Sequence, residues 1–183
     1  MNLPPPAIRI LLEILVIIAA VWDIRWRRIP NWLTVPGIVL GIGLNWFLFE
    51  TPGLRDSLEG LGLAFAVYFV LYLLRGMGAG DVKLMAAVGA AAGPANWLGI
   101  LVLTSLAGAI AGILMVALKG RVRGTLFNLL TIVGSLRHGR APYKDNPDLD
   151  VASRSAIGLP HGAIIALGTL GFLAAAAWHF APQ

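Results

Sequence analysis

Two aspartates have the residue type and the surroundings to do chemistry. Asp23 closes an apolar run and opens Asp23-Ile24-Arg25-Trp26-Arg27-Arg28-Ile29-Pro30-Asn31-Trp32-Leu33-Thr34. Asp81 closes Gly78-Ala79-Gly80-Asp81 and leads into Val82-Lys83-Leu84. An acid at the edge of hydrocarbon is costly to ionise and marks a functional site by default. Two such carboxylates side by side can share one proton, one serving as base and the other as acid. Taken singly, each has a plainer explanation. Asp23, beside Arg25, Arg27 and Arg28, also fits a topology anchor, and Asp81 also fits the N-cap of the helix after it. Together, with Gly-x-Gly before one of them, they read as a catalytic pair.

The elements that must position them are apolar blocks. The chain has 183 residues, 58% of them hydrophobic and only 13% charged, with a mean hydropathy of +0.81. A soluble domain needs more polar surface, and long uninterrupted apolar blocks point to a membrane protein. Six blocks stand out, at 7–22, 33–49, 58–74, 82–94, 97–118 and 157–180. The expected fold is therefore all-α, a bundle of six transmembrane helices forming one domain over 1–183. The first block lacks basic residues before Arg9 and a small-residue cleavage site after it, so it reads as a retained helix and not a signal peptide.

Lys and Arg set the orientation. Segments 23–32, 75–81 with Lys83, and 119–156 carry 12 of the 14 basic residues, and Arg9 and Arg55 lie on the other side. The basic segments are expected in the cytoplasm and the termini outside. This puts Asp23 and Asp81 at the same cytoplasmic face. The net charge of +5 is spread between apolar blocks, not gathered in a stripe, so no nucleic-acid partner is expected. Cysteine is absent, which excludes disulfides and a Cys nucleophile. His138, His161 and His179 have no metal-ligand spacing. Neither a metal nor a cofactor is expected.

Three local patterns refine this frame. Val82 to Pro94 is short for a span, about 20 Å of helix against about 30 Å of hydrocarbon. Either the bilayer is thinned there or the Gly78–Asp81 loop dips below the surface, with Gly78 and Gly80 permitting a tight loop and close approach of another backbone. Ala86, Ala87, Gly89, Ala90, Ala91, Ala92 and Gly93 mark a closely packed central helix, and Gly108 and Gly112 repeat the device. In the cytoplasmic loop 119–156, residues 121–137 place Val122, Leu126, Leu129, Leu130 and Val133 at helical spacing, as in an amphipathic helix lying on the membrane surface. Arg9 and Glu13 are spaced for a helical ion pair. Tyr68 and Tyr72 share a face and read as packing. The six Trp residues mostly lie near block ends, as an interfacial belt requires. Lys83 is turned away from Asp81 and is free to snorkel. Pro30 suits a helix start, and Asn31 the backbone groups exposed there.

With these residues in view, the chain resembles the type IV prepilin peptidases, intramembrane aspartic proteases of the Gly-x-Gly-Asp type. The matching residues are Asp23, Ile29-Pro30-Asn31 with Leu33-Thr34, Gly78 to Leu84, and Leu159-Pro160-His161-Gly162-Ala163-Ile164, where the family commonly has an aromatic residue at the position of His161. The resemblance implies that Asp23 and Asp81 are catalytic, with Gly78, Gly80, Lys83, Pro30 and Asn31 positioning them or the substrate. It implies an inner-membrane endopeptidase that cuts the short basic leader of prepilins or pseudopilins at the cytoplasmic face. Without Cys, and without room for the extra region of longer members, the chain is similar to the short, peptidase-only form associated with tight-adherence (Flp-like) pili. An archaeal-type preflagellin peptidase, a small transporter and a non-catalytic scaffold are the alternatives.

Overall fold

A computed structural model of the chain describes residues 3–120, 122–137 and 159–179. Every regular element among them is helical: α1 (Pro6–Trp26), α2 (Asn31–Leu73), α3 (Ala79–Leu118), α4 (Val122–Arg137) and α5 (His161–His179). Of these, α2, α3 and α5 are long and apolar enough to cross a membrane. α1 is not among them, because its 21 residues carry Arg9, Glu13, Asp23 and Arg25.

α1 has two faces. Ile8, Leu12, Leu15, Val16 and Ala19 are buried, and Asp23 ends that same stripe. Ile10, Ile14, Ile17, Val21 and Ile24 repeat at helical spacing on the other side and are 48–61% exposed. A water-soluble protein would hide such a row, whereas a membrane solvates it.

The long helices are bent back on themselves. α2 breaks at Glu50 (φ 55°, ψ −138°), with Pro52 just after, and α3 breaks at Gly93 (φ 73°, ψ 168°), with Pro94 next. The expected blocks 33–49 and 58–74 are the halves of α2, and 82–94 and 97–118 are the halves of α3. The fold-back follows from geometry. Asn45 and Ser57 would stand about 18 Å apart on a straight helix, yet both donate to the Ala90 carbonyl, at 3.1 and 2.6 Å.

The sequence explains why that carbonyl needs them. Pro94 has no N–H to offer Ala90, and the turn at Gly93 also disturbs the partner of Ala91. A free backbone carbonyl inside hydrocarbon must find another donor. Asn45 supplies it to Ala90 and, at 3.0 Å, to Ala91, while Ser57 adds a second donor to Ala90. Gly93 has the positive φ that suits glycine, and its backbone lies against Gly60.

The first half of α3 is the centre of the molecule. From Val82 to Gly93 every residue but Lys83 is buried, and α1, α2 and α5 all pack on α3. Leu15 of α1 and Ala87 of α3 both meet Gly37 of α2. The small-residue reading of 86–93 holds. Its extension to the second half does not: among the described residues a Cβ on Gly112 would meet nothing within 4 Å, and one on Gly108 only Ile164, at 3.5 Å.

Other expectations are corrected. Arg9 and Glu13 do not pair, and the Arg9 Nε is buried without a hydrogen-bond partner among the described residues. The helical ion pair is instead Arg55–Glu59 at 2.7 Å, exposed and thus weakly stabilising. Trp97 is fully buried, so it is no part of an interfacial belt. Trp22, Trp26 and Trp32 do cluster at one end, with ring centroids 4.3 and 5.2 Å apart. The helix expected over 121–137 is α4, and its Phe127, Leu130 and Val133 are exposed. The rest of the 119–156 loop lies largely outside the described residues.

Candidate active site

Asp23 lies in the last turn of α1, at the foot of the buried stripe. The helix ends at Arg27, whose N–H still bonds the Asp23 carbonyl at 2.8 Å and whose left-handed backbone (φ 54°) turns the chain out of the helix. The chain then reverses through Ile29 and Pro30, the N-cap of α2. Asp23 is 8% exposed, and its Oδ2 accepts the Gly162 N–H at 2.8 Å.

Asp81 is also 8% exposed, but its place differs from expectation. Residues 79–81 form the first turn of α3, so Gly78 is the N-cap and Asp81 sits at the third helical position. Its Oδ2 accepts the Gly78 N–H at 3.1 Å. Gly78 has no side chain to return the bond, so the cap runs one way. The helix start at Ala79 instead of Val82 gives the first half of α3 most of a further turn. Gly78 has ordinary extended backbone (φ −81°, ψ 153°). The closeness expected of this motif occurs at Gly80, where a Cβ would lie 3.1 Å from the Ile29 Cβ. Gly80 thus lets the two aspartate motifs touch.

α1 ends and α3 begins at the same end of the bundle, and Asp81 is within electrostatic reach of Asp23. Each carboxylate has one oxygen fixed by a backbone N–H, and Oδ1 of each has no hydrogen-bond partner among the described residues. That arrangement leaves two oxygens for a water or a peptide group. Lys83 does turn away from Asp81, and its Nζ donates to Asn31 Oδ1 at 2.9 Å. The Asn31 side chain therefore ties α2 to α3 instead of serving the start of α2.

Beside Asp81 is a cavity of about 200 Å³. Tyr68, Met77, Leu101, Thr104, His161 and Ile164 are among its walls. Asp81 and Thr104 line one small space only because α3 folds back at Gly93. Tyr68 and Tyr72, grouped together by spacing, part company here. Tyr68 is 4% exposed, packs edge-on against Trp97 at 6.4 Å and faces the Asp81 cavity. Tyr72 is exposed and stacks on Phe69. The placement of Tyr68 and His161 at this cavity was not legible from spacing. A larger cavity, of about 460 Å³, lies at the opposite end of α1 between Leu3, Ile8, Asn45 and Asn96, with neither aspartate in its walls.

The chain is similar to known proteins. A prepilin leader peptidase/N-methyltransferase of Xanthomonas campestris pv. campestris is 36% identical over 109 residues, 56% of this chain and 38% of the relative. The protein of that name from Myxococcus xanthus is 33% identical over 119 residues, 61% of this chain and 35% of the relative. That from Pseudomonas putida is 29% identical over 128 residues, 62% of this chain and 44% of the relative. The chain thus spans less than half the length of these relatives. No solved structure gives a significant match. The type IV leader peptidase family matches residues 10–113, a stretch that holds both aspartates and their motifs. The chain belongs to the type IV leader peptidase family.

Proposed function

We propose that the protein is an intramembrane aspartic endopeptidase that removes the short basic leader of Flp-like prepilins or pseudopilins. The observation that carries this reading is the pair of buried carboxylates at one end of the bundle, each held by one backbone N–H and with its other oxygen unbonded among the described residues. With a single proton between them, the ionised carboxylate takes a proton from water as the water oxygen attacks the scissile carbonyl carbon. The protonated partner donates to the carbonyl oxygen. Collapse of the tetrahedral intermediate breaks the C–N bond, and the amine leaves with a proton from the pair. The two groups act as one unit, so neither is assigned as the fixed base.

The substrate reading follows the family and the geometry together. The relatives are named prepilin leader peptidases. The aspartates sit beside Arg25, Arg27, Arg28 and Lys83, the basic end of the molecule. In a cytoplasmic membrane crossed six times, with α4 on the inner leaflet, that end faces the cytoplasm. A bond at the foot of a substrate's apolar helix then reaches the pair directly. A transporter would set acids along a path, whereas here both lie at one end.

The test is cleavage of a co-expressed prepilin. Asp23→Asn and Asp81→Asn each lower processing by about 10²–10⁴-fold or more, with unchanged membrane insertion. Normal processing by either variant would remove that residue from the reaction.

A further inference from the structure

The cavity of about 200 Å³ beside Asp81 runs inward from the carboxylate. From Asp81 to the bend at Gly93, α3 descends about 18 Å, and from Gly93 back to Leu101 it climbs only about 12 Å. Leu101 therefore lies deeper in the bundle than Asp81. Ile165 lies one turn inside His161, the first residue of α5. Both line the cavity, and so does Ile164, so its deep walls are apolar. Leu71 and Ser105 line it too and are exposed, which gives the cavity a mouth on the outer surface of the bundle. An apolar cavity of about 150 Å³ is enough to bind benzene. This one therefore has room for a single side chain of about that size.

Gly108 keeps the space open. A Cβ there would meet only Ile164 among the described residues, at an ordinary 3.5 Å, so the room in front of Gly108 is the cavity itself. Thr104, one turn earlier, forms a fixed wall. It lies so close to α5 that a Cβ on Gly168 would strike its hydroxyl. The cavity thus has one adjustable position, at Gly108, beside a wall that does not retreat.

We propose that this cavity receives the side chain of the substrate residue that follows the cleaved bond, and that Gly108 sets the size of side chain it admits. The proposal rests on the reading of Asp23 and Asp81 as the catalytic pair. With the scissile peptide at Asp81, the basic leader extends toward the end of the bundle that carries Arg25, Arg27 and Arg28, and the apolar helix extends toward the middle. The cavity lies on the middle side of Asp81, so the first residue of the apolar part is the one that reaches it. Gly108 is then a specificity-determining residue and takes no part in bond making.

The experiment measures kcat/KM for the full chain reconstituted in bilayers, on recombinant prepilins that carry alanine, phenylalanine or tryptophan after the cleaved bond. A few methylene groups gained or lost in an apolar pocket change kcat/KM by about 10-fold or more. Gly108→Leu fills the cavity and should lower the phenylalanine-to-alanine ratio by that factor. An equal loss on both substrates would mean that lipid or the protein's own side chains occupy the cavity, and the proposal fails. It fails too if the ratio moves only when the residue before the bond is varied. Should Gly108→Leu not accumulate in the membrane, Leu101→Ala decides: enlarging the cavity should raise the tryptophan-to-phenylalanine ratio, and an unmoved ratio overturns the proposal. Asp81→Asn runs alongside. Cleavage by that variant would remove the catalytic pair, a result distinct from an unmoved ratio.

Discussion

The Gly162 N–H holds the Asp23 carboxylate at 2.8 Å, joining residues 139 positions apart in sequence. The contact leaves no space on the glycine. A Cβ at 162 would lie 2.9 Å from the Asp23 Cβ and 3.1 Å from Oδ2. Gly162→Ala must therefore move either the carboxyl or the start of α5. A displacement near 1 Å in a catalytic group costs about 10²-fold in rate. Gly162→Ala is expected to lower kcat by about that factor while the protein still inserts in the membrane. Wild-type kcat in this variant would show that Asp23 tolerates the shift.

Gly80 is constrained by a neighbour and not by its backbone angles. Gly80→Ala brings a methyl to 3.1 Å from the Ile29 Cβ, whereas a Cβ on Gly78 meets Asp81 Oδ2 at an ordinary 3.4 Å. Gly80→Ala is expected to reduce activity by about 10-fold or more, and Gly78→Ala to be mild by comparison. The nearest atom is the Ile29 Cβ, so only a residue without a Cβ at position 29 relieves the contact. The double variant Gly80→Ala, Ile29→Gly should lose less activity than the two single losses combined, and a double-mutant cycle measures this coupling. Strict additivity would mean that the two motifs do not press on each other.

Much of this site was legible in the sequence, for physical reasons. Charge inside hydrocarbon is rare enough to mark Asp23 and Asp81 at once, and apolar helices of opposite direction bring their ends to one face. The run Ala86 to Gly93 announces close packing because small side chains serve little else. What spacing alone does not carry is the fold-back within each long helix. Tyr68 and Tyr72 share a helical face, and only the return of α3 past Gly93 gives Tyr68 a cavity to line. The glycines of the Gly-x-Gly-Asp motif signal close approach but not the partner, which is Ile29 from the other motif. Asp81 was readable as a cap, yet the helix begins before it, at Ala79. Leu159 to Ile164 was visible as a motif, but its contact with Asp23 depends on the packing of α5 against α1.

Asn45 and Ser57 have a purely structural task with a measurable cost. They satisfy the carbonyls that Pro94 and Gly93 leave open, Asn45 at 3.1 and 3.0 Å and Ser57 at 2.6 Å. A buried acceptor that loses its donor costs about 1–3 kcal/mol. Asn45→Leu should destabilise the protein by the upper part of that range, since Ala91 loses its side-chain donor altogether. Ser57→Ala should cost less, because Asn45 still reaches Ala90. Both variants should keep wild-type kcat per folded molecule, as both residues lie well away from Asp23 and Asp81 along α3. Unfolding of the purified protein in mixed detergent gives the order. Ser57→Ala more damaging than Asn45→Leu would show that Ser57, and not Asn45, carries the helix break.

The orientation of the bundle decides whether the carboxylate pair meets its substrate. Arg25, Arg27, Arg28 and Lys83 flank the aspartates, and Lys144 lies in the long basic segment. Asp56 lines the cavity at the opposite end, near Leu3 and Ile8. From the 12-to-2 division of Lys and Arg, the aspartate end is expected to face the cytoplasm. The chain has no native cysteine, so single cysteines report cleanly. With a membrane-impermeant thiol reagent on intact cells, Cys at 2, 56 and 183 should label, and Cys at 144 should label only after the membrane is opened. Labelling of 144 from outside would turn the bundle over. The pair would then face away from the basic leaders of cytoplasmic prepilins, and leader cleavage would be excluded whatever the carboxylates can do.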